Sequence, residues 1–160
     1  GHDKIVPYLR FKYESPIPQY DICVHFRNTD KHNDINVVLD KVRHLWKPTQ
    51  TIYLATDDRS AISSFKAAFA DSVCCSDPPL PRASGGGIHH ASAKELATFG
   101  KTKENLNWEM IKDVLILRDA KTFIPCSNSS FSWLVMAMRV FKQQVGAILS
   151  VSKEPPNIVD

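Results

Sequence analysis

The chain has 160 residues, 43% of them apolar and 23% charged, with a net charge of +3; this content suits one domain with a sizeable core and leaves little room for a second. Lys and Arg are scattered rather than gathered in a stripe, which argues against a nucleic-acid surface and stays compatible with small anionic ligands. No apolar run reaches the length of a membrane span and the start lacks a signal-peptide pattern, so a soluble protein without a membrane span is expected.

Residues 1–19 read as an N-terminal arm or linker. Ile5 to Phe11 is apolar enough for an edge strand or packing arm, and Ser15-Pro16-Ile17-Pro18 then breaks regular structure. Pro155-Pro156 does the same near the end, which makes residues 152–160 a C-terminal linker. The domain proper is expected over residues 20–151, as a piece of a longer polypeptide with further domains.

Tyr20 to Phe26 is a buried strand by its apolar run, and it ends in His25-Phe26-Arg27-Asn28-Thr29-Asp30, where an imidazole, a cation and a carboxylate crowd together. Asn33 or Asp34 caps a helix whose apolar face is Ile35, Val38, Leu39, Val42, Leu45 and Trp46. A second apolar strand, Thr51 to Thr56, ends in Asp57-Asp58. The helix that follows begins near Ser60 and buries Ala61, Ile62, Phe65 and Phe69. After a short strand at Val73 to Ser76, an irregular stretch from Pro78 to Lys103 contains Gly85-Gly86-Gly87-Ile88-His89-His90.

A helix from about Asn107 to Ala120 leads to a strand at Thr122 to Cys126, then a helix to about Phe141 and a fifth strand at Val145 to Ser150. The sum is an α/β fold, a single Rossmann-like domain with a mostly parallel sheet of about five strands and flanking helices. The helix after Phe131 carries two apolar stripes. A helix flanked closely by neighbours accounts for both, and a docking face for a second subunit or missing domain is the alternative.

Three strands deliver polar residues at their C-terminal ends, the edge where open α/β sheets bind ligands. At the last of them, Pro125-Cys126-Ser127-Asn128-Ser129-Ser130-Phe131-Ser132-Trp133 runs a strand into a helix start rich in hydroxyls. The first amides of a helix lack internal partners and sit at the positive end of its dipole, so they can seat a diphosphate, with Ser129, Ser130 and Ser132 adding hydroxyl donors. The plainer role for Ser129 or Ser130 is an N-cap. Cys23, Cys74, Cys75 and Cys126 lie in or beside predicted strands without metal-ligand spacing. They read as reduced core thiols, in keeping with a cytoplasmic or other reducing setting, including the cytosol of a virus-infected cell.

The string Val24-His25-Phe26-Arg27-Asn28-Thr29-Asp30 resembles the His-x-Arg-x-x-Asp motif of the fucosyltransferase superfamily, which includes the α1,2-, α1,6- and protein O-fucosyltransferases and the nodulation enzymes. Tyr53-Leu54-Ala55-Thr56-Asp57-Asp58 is similar to its second motif. Asp113 with Leu115-Ile116-Leu117, followed by Asn128-Ser129-Ser130-Phe131-Ser132-Trp133, is similar to its third, and the order and spacing agree from about Tyr20 to Phe141. The resemblance implies the C-terminal, donor-binding half of a GT-B glycosyltransferase.

It also implies transfer, with inversion, of a 6-deoxyhexose from a nucleotide diphosphate sugar, GDP-L-fucose by likeness, to an oligosaccharide or other glycan acceptor. An L-rhamnosyltransferase using a UDP- or dTDP-linked donor and a non-catalytic nucleotide-sugar-binding module are the alternatives. By match, Arg27 grips the diphosphate. His25 and Asp30 shape the catalytic pocket, where Asp30 either acts as base or orients Arg27. The donor site takes in Asp57 or Asp58 at the ribose or base, Asp113 at the base, His89 in the glycine loop, and Asn128, Ser129, Ser130 and Phe131. No cofactor is expected. Nor is a metal, since Asp57 and Asp58 are contiguous rather than an Asp-x-Asp pair and His89-His90 lack a third ligand.

Overall fold

A computed structural model describes residues 17–28, 32–75 and 91–151, with residues 144–151 as backbone only. Four strands form one parallel sheet: β1 (Ile22–Phe26), β2 (Ile52–Thr56), β3 (Val73–Cys75) and β4 (Thr122–Ile124), in the order β3-β2-β1-β4. Five α-helices accompany them among the described residues: α1 (Ile35–Leu45), α2 (Arg59–Phe69), α3 (Ala93–Ala97), α4 (Lys103–Asp119) and α5 (Ser130–Val151).

The strands are apolar at successive positions because helices cover both faces of the sheet. Ile22, Val24, Phe26, Ile52 and Leu54 pack with Leu39 and Val42 of α1 and Phe65 and Phe69 of α2. The alternate residues Cys23, Tyr53 and Ala55 pack with Ile116 and Leu117 of α4 and Val135 of α5. Phe65, Leu117 and Val135 are each 0% exposed, and full burial of such a side chain contributes about 1.5–3 kcal/mol. Alternation along β1 therefore puts His25 on the α4/α5 face.

Arg139 ties α5 to the end of α4. Its Nη1 donates to the carbonyls of Leu117, Arg118 and Ala120 at 3.0, 2.9 and 2.7 Å. A helix C-terminus leaves such carbonyls without internal partners and favours a cation beside them.

Several expectations need correction. The sheet has four strands among the described residues, and 145–150 is the last part of α5 rather than a fifth strand. Leu134, Met138, Phe141, Val145, Ile148 and Leu149 repeat at three- and four-residue intervals, so helical periodicity outlasts Phe141 and no Pro stops it before Pro155. β4 stops at Ile124 because Pro125 has no amide hydrogen to extend the ladder. α4 starts at Lys103, ahead of Asn107, since Thr102 and Asn105 form a reciprocal capping box. The stretch expected to be irregular holds α3, capped by Ser92 and anchored by buried Leu96.

Neither stripe of α5 is fully covered: Leu134 and Phe141 of the first are 52% and 68% exposed, and Trp133 and Val140 of the second 62% and 54%. Close neighbours on all sides are therefore ruled out for this helix. All four thiols are free, but only Cys23 and Cys126 are buried, while Cys74 lies exposed on the edge strand β3. Burial pushes the Cys23 thiol up to about 12, which keeps it protonated and inert. Residues 1–16 of the arm, the glycine run at Gly85 and the C-terminal linker fall outside the described residues; Ile17 and Tyr20 pack against the α4/α5-side core. No helix among the described residues is long and apolar enough to cross a membrane.

Candidate functional site

β1 leads into α1 on one face of the sheet, whereas its neighbour β4 leads into α5 on the other. Loops that diverge in this way leave a crevice at the C-terminal strand edge, the usual ligand seat of open α/β sheets. Asn33 spans it. Its Nδ2 lies 2.5 Å from the Arg27 carbonyl and 3.5 Å from both Cys126 Sγ and Asn128 Oδ1, while its amide donates to Asn28 Oδ1 at 3.1 Å. Sequence reading assigned Asn33 only a capping role. The cap is Asp34, whose carboxylate accepts the Asn36 amide at 2.9 Å.

The β1 and β2 ends are joined by carboxylates. Asp57 Oδ1 accepts the Asn28 amide at 2.8 Å and its Oδ2 lies 3.9 Å from Arg27 Nε. Arg27 thus leans toward the β2 side of the crevice, opposite the start of α5. Asp58 accepts from Asn28 Nδ2 at 2.9 Å and from the Ser60 amide and hydroxyl at 2.8 and 2.7 Å, making it the N-cap of α2. Burial pushes its carboxyl up, but the hydrogen bonds from Asn28 and Ser60 outweigh that and hold it below its ordinary value. Both of its oxygens are used structurally.

On the β4 side, the Trp133 amide makes the first α5 bond, to the Ser129 carbonyl at 3.2 Å, so the amides of the turn ahead of it have no partner within the helix. Ser129 stands at the capping position, yet its hydroxyl caps nothing. Ser129 Oγ is buried and has no hydrogen-bond partner, the only such side-chain atom among the described residues. An unsatisfied buried polar group costs about 1–3 kcal/mol. Asn128 and Ser130 flank it and are exposed.

Ser132 does something other than expected. Its fully buried hydroxyl turns inward, 2.7 Å from His25 Nδ1 and 2.9 Å from the Cys126 amide, and is withdrawn from any phosphate. Phe131 lies over His25 with ring centroids 4.7 Å apart. Burial lowers the His25 pKa to about 4; Asp57 pulls it up and Arg27 pushes it further down. His25 is a neutral imidazole at physiological pH.

The crevice therefore gathers His25, Arg27, Asp57, Asp58, Asn128, Ser129, Ser130 and Phe131. Asp113 stands apart: it accepts the Tyr53 hydroxyl at 2.6 Å, beside the second residue of β2 rather than at the strand end. Tyr53 gives this mid-helix carboxylate a structural partner. Asp30 and His89 fall outside the described residues. Among those residues, no group of three His, Cys, Asp or Glu side chains is arranged to hold a metal ion. A groove of about 670 Å³ lined by Arg118, Met138 and Phe141 lies beside the turn into β4, away from this edge. No protein-family model matches the chain, and no curated protein matches it either.

Proposed function

We propose that this domain binds a nucleotide diphosphate sugar across the crevice between β1 and β4, and that it is the donor half of an inverting transferase for a 6-deoxyhexose. The observation that carries the reading is the buried, partnerless Ser129 hydroxyl at the start of a 22-residue helix, at the strand edge where the neighbouring β1 ends in Arg27. A helix N-terminus with a spare hydroxyl donor and a guanidinium at the adjoining strand end are complementary to a diphosphate. Nothing in this arrangement fits a dinucleotide fold of the glycine-fingerprint type, since no Gly-x-Gly-x-x-Gly follows β1.

In this reading the bond from the anomeric carbon to the diphosphate oxygen breaks while the opposite face of that carbon stays open. An acceptor hydroxyl attacks from that side, so the configuration inverts. Negative charge grows on the leaving phosphate as the glycosidic bond lengthens, and Arg27 with the first-turn amides of α5 meets it there. Asp30 is the candidate base for the acceptor proton. The motif likeness favours GDP-L-fucose as donor.

Calorimetric titration with GDP, UDP and dTDP tests the donor class. Micromolar binding of GDP alone supports the fucosyl reading, preference for UDP or dTDP supports a rhamnosyl donor, and failure of all three removes the proposal. Arg27→Ala should weaken GDP binding by about 10–100-fold, the worth of one charge-assisted contact, and abolish transfer with the circular dichroism spectrum unchanged. Binding without transfer or donor hydrolysis by the wild-type chain identifies a non-catalytic module.

A further inference from the structure

We propose that Ser132 is a positioning residue: its buried hydroxyl donates to His25 Nδ1, fixes the proton of the neutral imidazole on Nε2, and so makes His25 a hydrogen-bond donor to the crevice rather than a base. Ser132 Oγ has two contacts, the Cys126 amide at 2.9 Å and His25 Nδ1 at 2.7 Å. A backbone amide only donates, so it takes an oxygen lone pair. The hydroxyl proton then has one acceptor within reach, Nδ1.

The reverse assignment, with Nδ1–H donating to Oγ, strands the hydroxyl proton without an acceptor in a side chain that is 0% exposed. The ring proton must therefore sit on Nε2. That nitrogen has no partner among the described residues. The ring is not sealed off either, because His25 is the one residue of β1 that is not fully buried. An open Nε2–H beside the β1 and β4 ends calls for an oxygen acceptor, which a phosphate or a sugar hydroxyl supplies.

A second proton on the ring would land on Nδ1 and set two donors face to face across the short contact to Ser132. Arg27 opposes that charge, Asp57 favours it, and the positive end of the α5 dipole opposes it again. With Nδ1 occupied and Nε2 protonated, His25 has no lone pair for the proton of an acceptor hydroxyl. A base for that hydroxyl is then a group other than His25. The ligand half of this inference rests on the proposed function, but the tautomer does not.

The test is long-range ¹⁵N–¹H correlation spectroscopy of the wild-type protein, without ligand, from pH 5 to 8. The expected pattern is an unprotonated Nδ1 and a protonated Nε2 that stay unchanged across the range. A protonated Nδ1, or titration near the ordinary value of about 6.5, overturns the proposal. Ser132→Ala should release the ring into a tautomer mixture with its midpoint raised toward that ordinary value, and Ser132→Thr should restore the wild-type pattern. If neither variant folds, the wild-type spectrum still decides. Adding GDP should shift the Nε2–H signal; no shift, with the tautomer as expected, counts against the ligand reading alone.

Discussion

Ser129→Ala separates a capping serine from a ligand-seating one, because the two roles predict effects of opposite sign. A serine that caps a helix loses about 0.5–2 kcal/mol on replacement by alanine. Ser129 Oγ bonds to nothing, so that loss does not arise here. Removing the hydroxyl instead relieves part of the penalty of about 1–3 kcal/mol for a buried unsatisfied group. A net gain of about 1–2 kcal/mol raises the melting temperature of a domain this size by about 2–8 °C.

With ligand the sign reverses. A hydroxyl that donates to a phosphate oxygen is worth about a tenfold change in affinity, or 1.4 kcal/mol, and the stabilisation by a fixed excess of GDP falls by the same amount. Differential scanning calorimetry with and without GDP reads both effects on one sample. The variant should melt higher than wild type when free and gain less from the nucleotide. A free variant that melts lower, with its GDP stabilisation intact, would show Ser129 to be an ordinary cap and remove the main support for the diphosphate seat.

Asp58→Ala should cost about 2 kcal/mol, roughly 1 for the α2 cap and as much for the tie to Asn28, whereas Asp58→Ser keeps the cap and should lose about half of that in denaturant titrations. Equal losses in the two variants would contradict the separate roles. Arg139→Met leaves the carbonyls of Leu117, Arg118 and Ala120 without their shared donor, and a loss of about 2–3 kcal/mol in urea is expected; a loss under half that would mean solvent replaces the guanidinium. Stability should also fall with acid in two stages. His25 has a folded pKa of about 4, below its unfolded value, so its neutral form stabilises the fold fully above about pH 6.5 and that contribution drains, by up to about 1.4 kcal/mol per pH unit, down to about pH 4. Asp119, held at about 2 by hydrogen bonds from Arg118 and then Lys142, and Asp21, held at about 2 chiefly by its hydrogen bond from Lys121, act above the unfolded carboxyl value and lose their effect as pH falls toward 2. Melting curves at unit pH intervals check both stages, and His25→Gln should flatten the first without touching the second.

The sheet and its polar C-terminal edge are legible in the sequence because they depend on runs of like residues. β1 is apolar except for His25 and β2 except for its final Thr56, α1 and α2 have a single apolar face, and each of these two strands ends where charge begins, at Arg27 and Asp57. What stays hidden depends on pairs of residues far apart in the chain. Asp113 reads as a ligand contact until Tyr53, 60 positions away, is seen to donate to it. Ser132 reads as a phosphate donor until the alternation along β1 brings His25 beneath it, 107 positions away. Asn33 reads as a cap because its partners at Arg27, Cys126 and Asn128 come from two different crossover units.

The length of α5 misleads for another reason. Val145 to Ser150 is short, apolar and β-branched enough to satisfy a strand pattern, and a fifth strand beside β4 would complete the sheet expected of a Rossmann-like unit. Read in isolation, six such residues satisfy strand and helix templates alike. What decides between them is phase: Val145, Ile148 and Leu149 fall in register with Phe141, Met138 and Leu134, which lie one, two and three turns before Val145, so the helix already running continues without a new nucleation cost. The consequence reaches the function. β4 is left as an edge strand among the described residues, and α5 carries Trp133, Leu134, Val140 and Phe141 to solvent above it. The same helix therefore supplies, at its start, amides and hydroxyls suited to an anion and, along its outer face, apolar surface. Because these belong to different sides of one rigid rod, substitution on the outer stripe, Trp133→Gln for instance, should leave His25, Ser129 and nucleotide affinity unchanged. A loss of GDP binding on that substitution would show that the stripe is part of the site.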